Sequence, residues 1–600
     1  MRLQEQNCDI AIEQVTVGDF IDHLDHWIEY LTVLLDTLRD IGSIRKYERQ
    51  IKFLLQFRMG QNANVMHNRL LQYYYSKKTT GNDDLRFEFE VEREKEERKH
   101  PLRESDRLAK KEVDNFFKEA SEYVTTGDMA LTDVHPISPN YKVTDTAFKV
   151  VQKALAAKDL FFIQGPPGTG KTTAIVEIIL QTIKAKPRAR ILVCSETHVA
   201  VDNALDRLVA EAPQHIRDEI LRYKEYEITE FESEYTEITS ANKRVEQLWM
   251  KAEQLAPLLT ENLYDSLPKG NPKDANDDKS VTIPSWQYLQ LAEMHQIIGV
   301  TCNQIEHLID ENSDHFDLAI VDECSKATMP EWLMAMCVSR KCILVGDQKQ
   351  LPPTFCEEEG SALKSLEKYK EDLIRNGVLE RLYSNMPETM RDALVKQYRM
   401  LPHIGCFISE NFYDGKLKHD REQVDHSFDQ FGWFDYNSRD VVVPQHSDAP
   451  LVNPIEIQMI LGCLKSLYEQ RIQAKKQSDY RKISVAVITP YRAQCCQLDC
   501  EIKKLKLNDL LAIEVATVDA FQGRQADLVF FSFVRTTGSA KFYADPRRIN
   551  VAISRARDGV YLFGSRHYLK SRKLKVLDSL LELKDVPLFG EVLSSQVTLS

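Results

Sequence analysis

The sequence lacks several features that would place it in other classes of protein. None of its 12 cysteines forms a C-x-x-C pair, and several lie inside apolar runs, a pattern typical of reduced thiols. The cluster Cys495, Cys496 and Cys500 is interpreted as thiols buried on a helix, and no structural zinc is expected. No apolar run is long enough for a signal peptide or a membrane span. We therefore expect a cytosolic protein.

An excess of positive charge is also absent. The chain has 78 Lys and Arg against 91 Asp and Glu, a formal net charge of −13. The molecule as a whole would not attract nucleic acid, so such binding would need a local groove. Its 600 residues, 43% hydrophobic and 28% charged, indicate an ordinary soluble protein of several domains.

The first part of the chain has a helical pattern. From Phe20 to Ile41 the apolar residues recur at intervals of three and four, which predicts an amphipathic helix. Further apolar-striped and highly charged stretches follow. We predict that residues 1–135 are helical and form either a solvated stalk or a surface that docks a protein partner.

Beyond residue 135 short apolar strands alternate with helices, which is typical of α/β domains with doubly wound parallel sheets. We predict a first domain over residues 136–365, with a helical insertion at about 213–296, a second domain over 366–575, and a tail over 576–600. The predicted strands are Leu160–Ile163, Ile191–Cys194, Ile297–Thr301, Leu318–Val321 and Ile343–Val345, then Val485–Ile488, Ile513–Thr517, Leu528–Phe533 and Val560–Phe563.

A glycine-rich stretch follows the first of these strands. It consists of Gly165, Pro166, Pro167, Gly168, Thr169, Gly170, Lys171, Thr172 and Thr173. Strand, glycine-rich turn and helix together predict a phosphate-binding loop, because backbone N–H groups and the helix N-terminus attract a polyphosphate. Lys171 is expected to reach the terminal phosphates, and Thr172 to ligate Mg²⁺.

A second element of chemistry follows the predicted strand Leu318–Val321, which runs into Asp322 and Glu323. Ligands bind at the carboxyl ends of strands in open parallel sheets. Asp322 suits a Mg²⁺ ion, and Glu323 suits activation of the water that attacks the γ-phosphate. Without the phosphate loop upstream, these carboxylates would be interpreted as an ordinary polar strand end.

Together with D-E-x-S at 322–325, further stretches resemble superfamily 1 helicases, specifically the 1B group that contains the nonsense-transcript regulator helicase. They are G-D-Q-K-Q-L at 346–351, Q-Y-R-M at 397–400, F-Y-D-G-K-L at 412–417, V-D-A-F-Q-G-R at 518–524 and N-V-A-I-S-R-A-R at 550–557. The resemblance implies two RecA-like domains in tandem that use ATP and Mg²⁺. It also implies that Gln350 contacts the γ-phosphate and Tyr398 stacks on adenine. Arg399 and Arg555 would be arginine fingers.

Contacts with nucleic acid are assigned by position. The candidates follow predicted strands or lie in stretches similar to the family's motifs, and they are Ser195, His198, Thr301, Tyr491 and Gln522. Each could touch a phosphate or a base, and each could equally serve as a helix cap or a packing residue.

The chain departs from the family's pattern at two positions. Ala147 stands in the stretch where the family usually carries the glutamine that reads adenine, and Gln525 stands where it often carries a glutamate near the nucleotide sugar. The preferred interpretation is an ATP-dependent helicase or translocase on single-stranded DNA or RNA, and the resemblance implies 5′-to-3′ movement. The alternative is a nucleotide-dependent switch or assembly ATPase that holds a partner with its N-terminal helices.

Overall fold

The computed structural model describes residues 26–35, 38, 46–47, 50–51, 54, 134–223, 292–308, 316–355, 357–366, 368–376, 378–386, 388–422, 431–437, 451–475, 482–521 and 523–585. They form two compact units. The first takes in the described residues of Met1–Gln164, Lys171–Gln348 and Pro352–Ala393, and the second those of Gly165–Gly170, Lys349–Leu351 and Leu394–Ser600. The domain limits near residues 135, 365 and 575 stay predictions.

In the N-terminal region, residues 26–35, 46–47, 50–51 and 54 are helical. Trp27, Tyr30 and Leu34 are buried in the same hydrophobic cluster as Trp332 of the first unit. This stretch is therefore part of the first unit's core, and its apolar face is not exposed as it would be on a stalk.

The first unit is built on a seven-stranded parallel sheet with strand order β3-β4-β2-β5-β6-β1-β7. Its elements are α1 Thr146–Ala156, β1 Leu160–Gln164, α2 Lys171–Ala185, β2 Ile191–Ser195, α3 His198–Glu211, α4 Gln214–Arg217, β3 Ile220–Arg222, β4 Ile297–Thr301, a 3₁₀ helix Cys302–Leu308, β5 Leu318–Asp322, α5 Met329–Cys337, β6 Cys342–Gly346, α6 Glu357–Ser365, α7 Lys368–Asn376, α8 Val378–Asn385 and β7 Arg391–Ala393. The five central strands are buried almost throughout, as a parallel sheet covered on both faces requires.

The second unit contains a five-stranded parallel sheet with order β10-β14-β13-β11-β12. Its elements are β8 Lys396–Gln397, α9 Pro402–Phe412, β9 Lys418–His419, β10 Phe431–Phe434, α10 Pro454–Lys475, β11 Ile483–Thr489, α11 Arg492–Leu505, β12 Leu511–Thr517, β13 Ala526–Ser532, α12 Lys541–Ala544, α13 Pro546–Ile553, β14 Ala556–Phe563, α14 Arg566–Ser571 and α15 Lys575–Leu581. Alternate residues of β13 belong to two separate hydrophobic clusters, so both faces of the sheet are packed. Across the described residues, no helix combines the length and apolar character needed to cross a membrane.

The fold class is confirmed, and all nine predicted strands are present. Among the described residues five strands were not predicted: β3 and β7 at the edges of the first sheet, β10 at one edge of the second, and β8 and β9, which pair with each other in a separate two-stranded sheet. The start of the predicted insertion is therefore a short helix and an edge strand, while residues 224–291 lie outside the described part. On α11, Cys496 and Cys500 are exposed, so the prediction that this cluster is buried was wrong.

Strand β3 carries a buried ion pair. The Arg222 Nε lies 2.5 Å from the Asp202 Oδ1, and both side chains are almost fully buried. Arg222 also donates hydrogen bonds to the carbonyl oxygens of Tyr223 and Gly299, at 2.7 and 3.1 Å. Burial lowers the pKa of Arg222, and the Asp202 carboxylate opposes that shift. The buried Arg222 side chain therefore links this edge strand to Asp202 of α3 and to Gly299 of β4. The Asp202 carboxylate stabilises the charge of Arg222.

We expect Asp202→Ala to lower the free energy of unfolding of the first unit by about 3–5 kcal/mol, because it leaves the Arg222 charge buried without its carboxylate. Urea unfolding would measure the change. Lys186→Ala, which removes an exposed pair with Asp317 in the same unit, should cost less than about 1 kcal/mol. Equal losses in the two variants would show that burial of the Arg222 pair contributes nothing.

Candidate nucleotide-binding site

The predicted phosphate loop joins β1 to α2 and has the backbone conformation that its function needs. Gly168 and Gly170 have φ values of +74° and +84°, which residues with a Cβ rarely adopt. The Thr169 Oγ1 donates to the Pro166 carbonyl at 2.7 Å and closes the turn. Because α2 begins at Lys171, its first N–H groups are free of helical partners and add to the positive potential there.

The first turn of α2 brings the predicted lysine to the predicted general base. The Lys171 Nζ lies 3.5 Å from the Glu323 Oε1, and each side chain keeps less than a fifth of its surface exposed. Thr172, the predicted Mg²⁺ ligand, is the next residue and is half-buried. Two of the predicted catalytic and phosphate-binding groups are thus in contact.

Asp322 is the last residue of β5 and is buried. Burial raises the pKa of its carboxyl to about 7; the nearby Glu323 charge adds to this, while Lys171 and the Glu323 N–H oppose it. That N–H donates to the Asp322 Oδ1 at 2.8 Å, and Glu323 itself has a φ of +49°. The chain therefore turns sharply after β5 and holds both carboxylates at the sheet edge.

Two predicted nucleic-acid residues lie at this same edge. Ser195 pairs with Thr301 of β4 and with Asp322 of β5. The Ser195 Oγ is buried and has no hydrogen-bond partner among the described residues. The Thr301 Oγ1 donates to the Gln304 Oε1 at 3.0 Å, so its hydroxyl is already committed within the protein.

The other predicted nucleic-acid residues have different surroundings. The His198 Nδ1 lies 3.0 Å from the Arg222 Nη2 and accepts its hydrogen bond, which gives His198 a structural contact. The Tyr491 hydroxyl accepts a hydrogen bond from the Arg535 Nε at 2.6 Å. Gln522 lies outside the described residues.

In the second unit, the segment predicted to bind adenine contacts the phosphate loop residues grouped with that unit. The Tyr398 N–H donates to the Gly168 carbonyl at 2.9 Å, and a Cβ on Gly168 would lie 2.5 Å from the Arg399 Cβ. The Tyr398 side chain is 43% exposed, with the Lys396 Nζ 5.4 Å from its ring centroid. An aromatic ring with this much exposed surface can stack on a base.

A buried glutamine fixes the next predicted residue, Arg399. The Gln397 Oε1 accepts from the N–H groups of Arg399 and Met400 at 2.9 and 2.7 Å. The Arg399 Nε donates to the Gln525 Oε1 at 3.1 Å, and its Nη1 to the Ser554 carbonyl at 3.0 Å. At position 525, glutamine thus supplies a neutral acceptor for an arginine.

The second predicted arginine finger lies against the predicted γ-phosphate residue. The Arg555 Nη2 donates to the Gln350 Oε1 at 3.1 Å, and its Nε to the Val551 carbonyl at 3.0 Å. Gln350 and Arg555 are both buried.

The residue that departs from the family's adenine-reading position has no polar role here, because Ala147 is buried in α1. Two structural supports of the site were missed in the sequence. Gln397 is the first residue of the Q-Y-R-M stretch at 397–400, but no role was predicted for it. Arg222 lies at the start of the segment predicted to be a helical insertion.

Comparisons with known proteins agree with these features. One family model, described as an AAA domain, matches residues 142–280 and 271–358. A second model with the same description matches residues 374–567. Together the two models cover more than half of the chain. An uncharacterized ATP-dependent helicase of Methanocaldococcus jannaschii is 29% identical over 71% of this chain and 68% of its own length.

Two eukaryotic relatives match nearly the same fraction of this chain as the archaeal helicase does. DNA-binding protein SMUBP-2 of Mus musculus is 28% identical over 72% of this chain and 44% of its own length. ATP-dependent helicase upf1 of Schizosaccharomyces pombe is 27% identical over 73% of this chain and 46% of its own length. This chain spans less than half of these two proteins. The phosphate loop, the paired carboxylates, the two arginines and these relatives agree, and the chain belongs to the ATP-hydrolysing superfamily 1B helicases of the Upf1-like group.

Proposed function

We propose that this chain is a translocase that moves along single-stranded nucleic acid in the 5′-to-3′ direction and couples each step to hydrolysis of ATP. The observation that carries the proposal is the contact between Lys171 and Glu323 at the sheet edge, beside the buried Asp322. A phosphate-binding cation and a carboxylate able to accept a proton from water are what ATP hydrolysis needs.

Each residue then has a role in the reaction. Lys171 and the N–H groups of the loop bind the terminal phosphates, and Glu323 accepts a proton from the attacking water. Arg399 and Arg555 provide positive charge for the transferring phosphoryl group. In the proposed cycle Gln350, which accepts a hydrogen bond from Arg555, responds when the γ-phosphate leaves, and the two units close on ATP and reopen after hydrolysis.

The proposal includes a Mg²⁺ ion, and the residues present fit one. The Asp322 carboxylate is buried beside a second carboxylate, and hard oxygen ligands of this kind suit Mg²⁺. Asp322 and the Thr172 hydroxyl would hold the ion, which would neutralise charge on the phosphates.

The alternative, a switch that binds a partner through its N-terminal helices, receives less support. The apolar side chains that such docking would use, among them Trp27 and Tyr30, are buried in the first unit.

Single strands should raise the rate of ATP hydrolysis several-fold, because a translocase completes its cycle faster when it holds its track. We would measure phosphate release with oligothymidylate and oligouridylate strands of equal length, and with duplexes of the same length as controls. The larger response identifies the preferred nucleic acid. A rate that is indifferent to all of them would refute translocation and leave the ATPase assignment standing.

Lys171→Ala should lower kcat for ATP hydrolysis by at least about 100-fold, because it removes a cation that stabilises charge in the transition state. Its thermal unfolding midpoint should stay near that of the parent, since the side chain belongs to the site and not to the core. Lys184→Ala removes an exposed lysine from the last turn of the same helix and should leave kcat unchanged. Turnover in the Lys171 variant equal to that in the Lys184 variant would contradict the site.

A further inference from the structure

A small two-stranded sheet in the second unit lies beside the segment that carries Arg399. Strands β8 and β9 pair in parallel, and their register sets Gln397 beside His419. The Asp420 N–H donates to the Gln397 carbonyl at 3.0 Å and extends this pairing past the end of β9. Two residues further along the same register, Arg421 reaches Arg399. Strand β9 therefore brings two side chains, those of His419 and Arg421, to the segment of a predicted arginine finger.

Arg421 holds the carbonyl side of Arg399. Its Nη1 donates to the Arg399 carbonyl at 2.7 Å and to the Arg557 carbonyl at 3.0 Å. Its Nη2 donates to the buried carboxylate of Asp558 at 2.7 Å. Arg557 and Asp558 belong to β14 of the five-stranded sheet. The main chain of Arg399 is therefore tied to that sheet through one guanidinium group.

Gln397 holds the N–H side of Arg399, and every hydrogen-bonding position of its amide is used. Its Oε1 accepts from the N–H groups of Arg399 and Met400. Its Nε2 donates to the Met400 carbonyl at 2.8 Å and to the His419 Nδ1 at 3.1 Å. A glutamine amide has two donor hydrogens and two acceptor lone pairs, and this one is 0% exposed, so solvent does not replace a lost partner. His419 therefore completes the set of contacts that fixes the amide.

The amide also fixes the protonation state in which His419 fits. Because the Gln397 oxygen faces two N–H groups, the atom directed at His419 is the amide nitrogen, which can only donate. The His419 Nδ1 must therefore accept, and the neutral ring carries its proton on Nε2, 3.5 Å from the Cys406 Sγ. A second proton on Nδ1 would set two donors against each other. The ring or the amide would then have to turn away.

Helix α9 packs closely against this contact. A Cβ on Gly405 would lie 2.4 Å from the His419 Nδ1 and 3.0 Å from the Gln397 Nε2. Glycine weakens the interior of a helix relative to alanine, and at this position the closeness of the ring requires it. The contact between His419 and Gln397 is thus confined by a third element.

The surroundings of His419 favour its neutral form. Burial lowers the pKa of His419 below its ordinary value. The charged and titratable groups on the elements packed around it are Lys396 on β8, His403, Cys406 and Glu410 on α9, and Lys418, Asp420 and Arg421 on and just after β9. Lys396 pairs with Asp420, and Arg421 with Asp558. The contact with Gln397 is therefore complete at neutral pH, and it is lost as the pH falls through the lowered pKa.

We propose that His419 is a positioning residue for ATP hydrolysis, whose neutral imidazole holds Gln397 so that Gln397 holds the main chain of Arg399. Protonation of His419 releases the amide and removes this support. The Arg399 side chain keeps its hydrogen bonds to Gln525 and Ser554, so the loss of activity is partial. The inference rests on the proposed function, from which it takes the role of Arg399 in stabilising the transferring phosphoryl group.

His419→Ala in the full chain should lower kcat for ATP hydrolysis by about tenfold at neutral pH, because a displaced arginine stabilises the transition state less well. KM for ATP should change little, since the arginine acts in the transition state. We would measure phosphate release at a temperature where circular dichroism shows the fold intact. His567→Ala removes an exposed histidine from α14 of the same unit and should leave both constants unchanged.

A pH profile of His419→Asn separates positioning from packing. Asparagine can place its side-chain oxygen near the position of Nδ1, and this acceptor does not titrate. We expect its kcat at neutral pH to lie well above that of His419→Ala. As the pH is lowered, the parent should lose activity relative to His419→Asn, because only the parent gains a proton at this position. The ratio of the two kcat values cancels the titration of Asp322 and Glu323, which both proteins share.

Arg399→Ala distinguishes failure of the inference from failure of the proposed function. If Arg399→Ala lowers kcat while His419→Ala matches His567→Ala, the inference is overturned and the proposed function stands. If Arg399→Ala keeps the parent kcat, the role proposed for Arg399 fails and takes the inference with it. A ratio of parent to His419→Asn kcat that is constant with pH would also overturn the inference. Should His419→Ala not fold, that ratio alone decides.

Discussion

Parallel pairing is the constraint on which the candidate site depends. In a parallel sheet the carboxyl ends of neighbouring strands meet at one edge, and ligands bind there. The register aligns Ser195 with both Thr301 and Asp322, although these residues are far apart in the chain. The same geometry in the second sheet sets Thr489 beside the end of β13. Within each sheet, side chains that would be ordinary polar strand ends thus become neighbours along one edge.

The central strands and the phosphate loop were predictable because their signals are local. A buried parallel strand is a short apolar run, and each of the five central strands of the first sheet shows one. Edge strands carry less of this signal. β7 is half-buried along its length, and β3 includes Arg222, a residue that an apolar pattern excludes. The burial of Arg222 is stabilised by its ion pair with Asp202 on α3. The two residues are 20 positions apart, so the local sequence pattern does not predict the pair.

The chemistry of the site was predictable to a similar depth. Lysine, threonine and carboxylates at fixed spacings identify phosphate handling, and the structure brings Lys171 to Glu323. The hydrogen bonds that hold the site residues in place were not predicted. Gln397 accepts from the backbone N–H groups of Arg399 and Met400, and Gln525 accepts from the Arg399 side chain. These contacts depend on the fold and leave no pattern in the local sequence. The hydrogen bonds described for Arg399 and Arg555 go to amide and carbonyl oxygens. These neutral acceptors fix the direction of each guanidinium group.

Backbone strain occurs at both sheet edges. Glu323 follows β5 with a φ of +49°, and Val534 follows β13 with a φ of +69°; each such residue costs about 1–3 kcal/mol. A glycine would remove the cost at either position. At Glu323 that substitution would also delete the candidate base, so there the strain accompanies a necessary side chain. The Val534 side chain has no comparable chemical role, and the buried hydrogen bonds from Asn453 and Glu456 hold the turn regardless. Because a positive φ is unfavourable for a β-branched residue, the conformation of Val534 depends on these contacts with the start of α10.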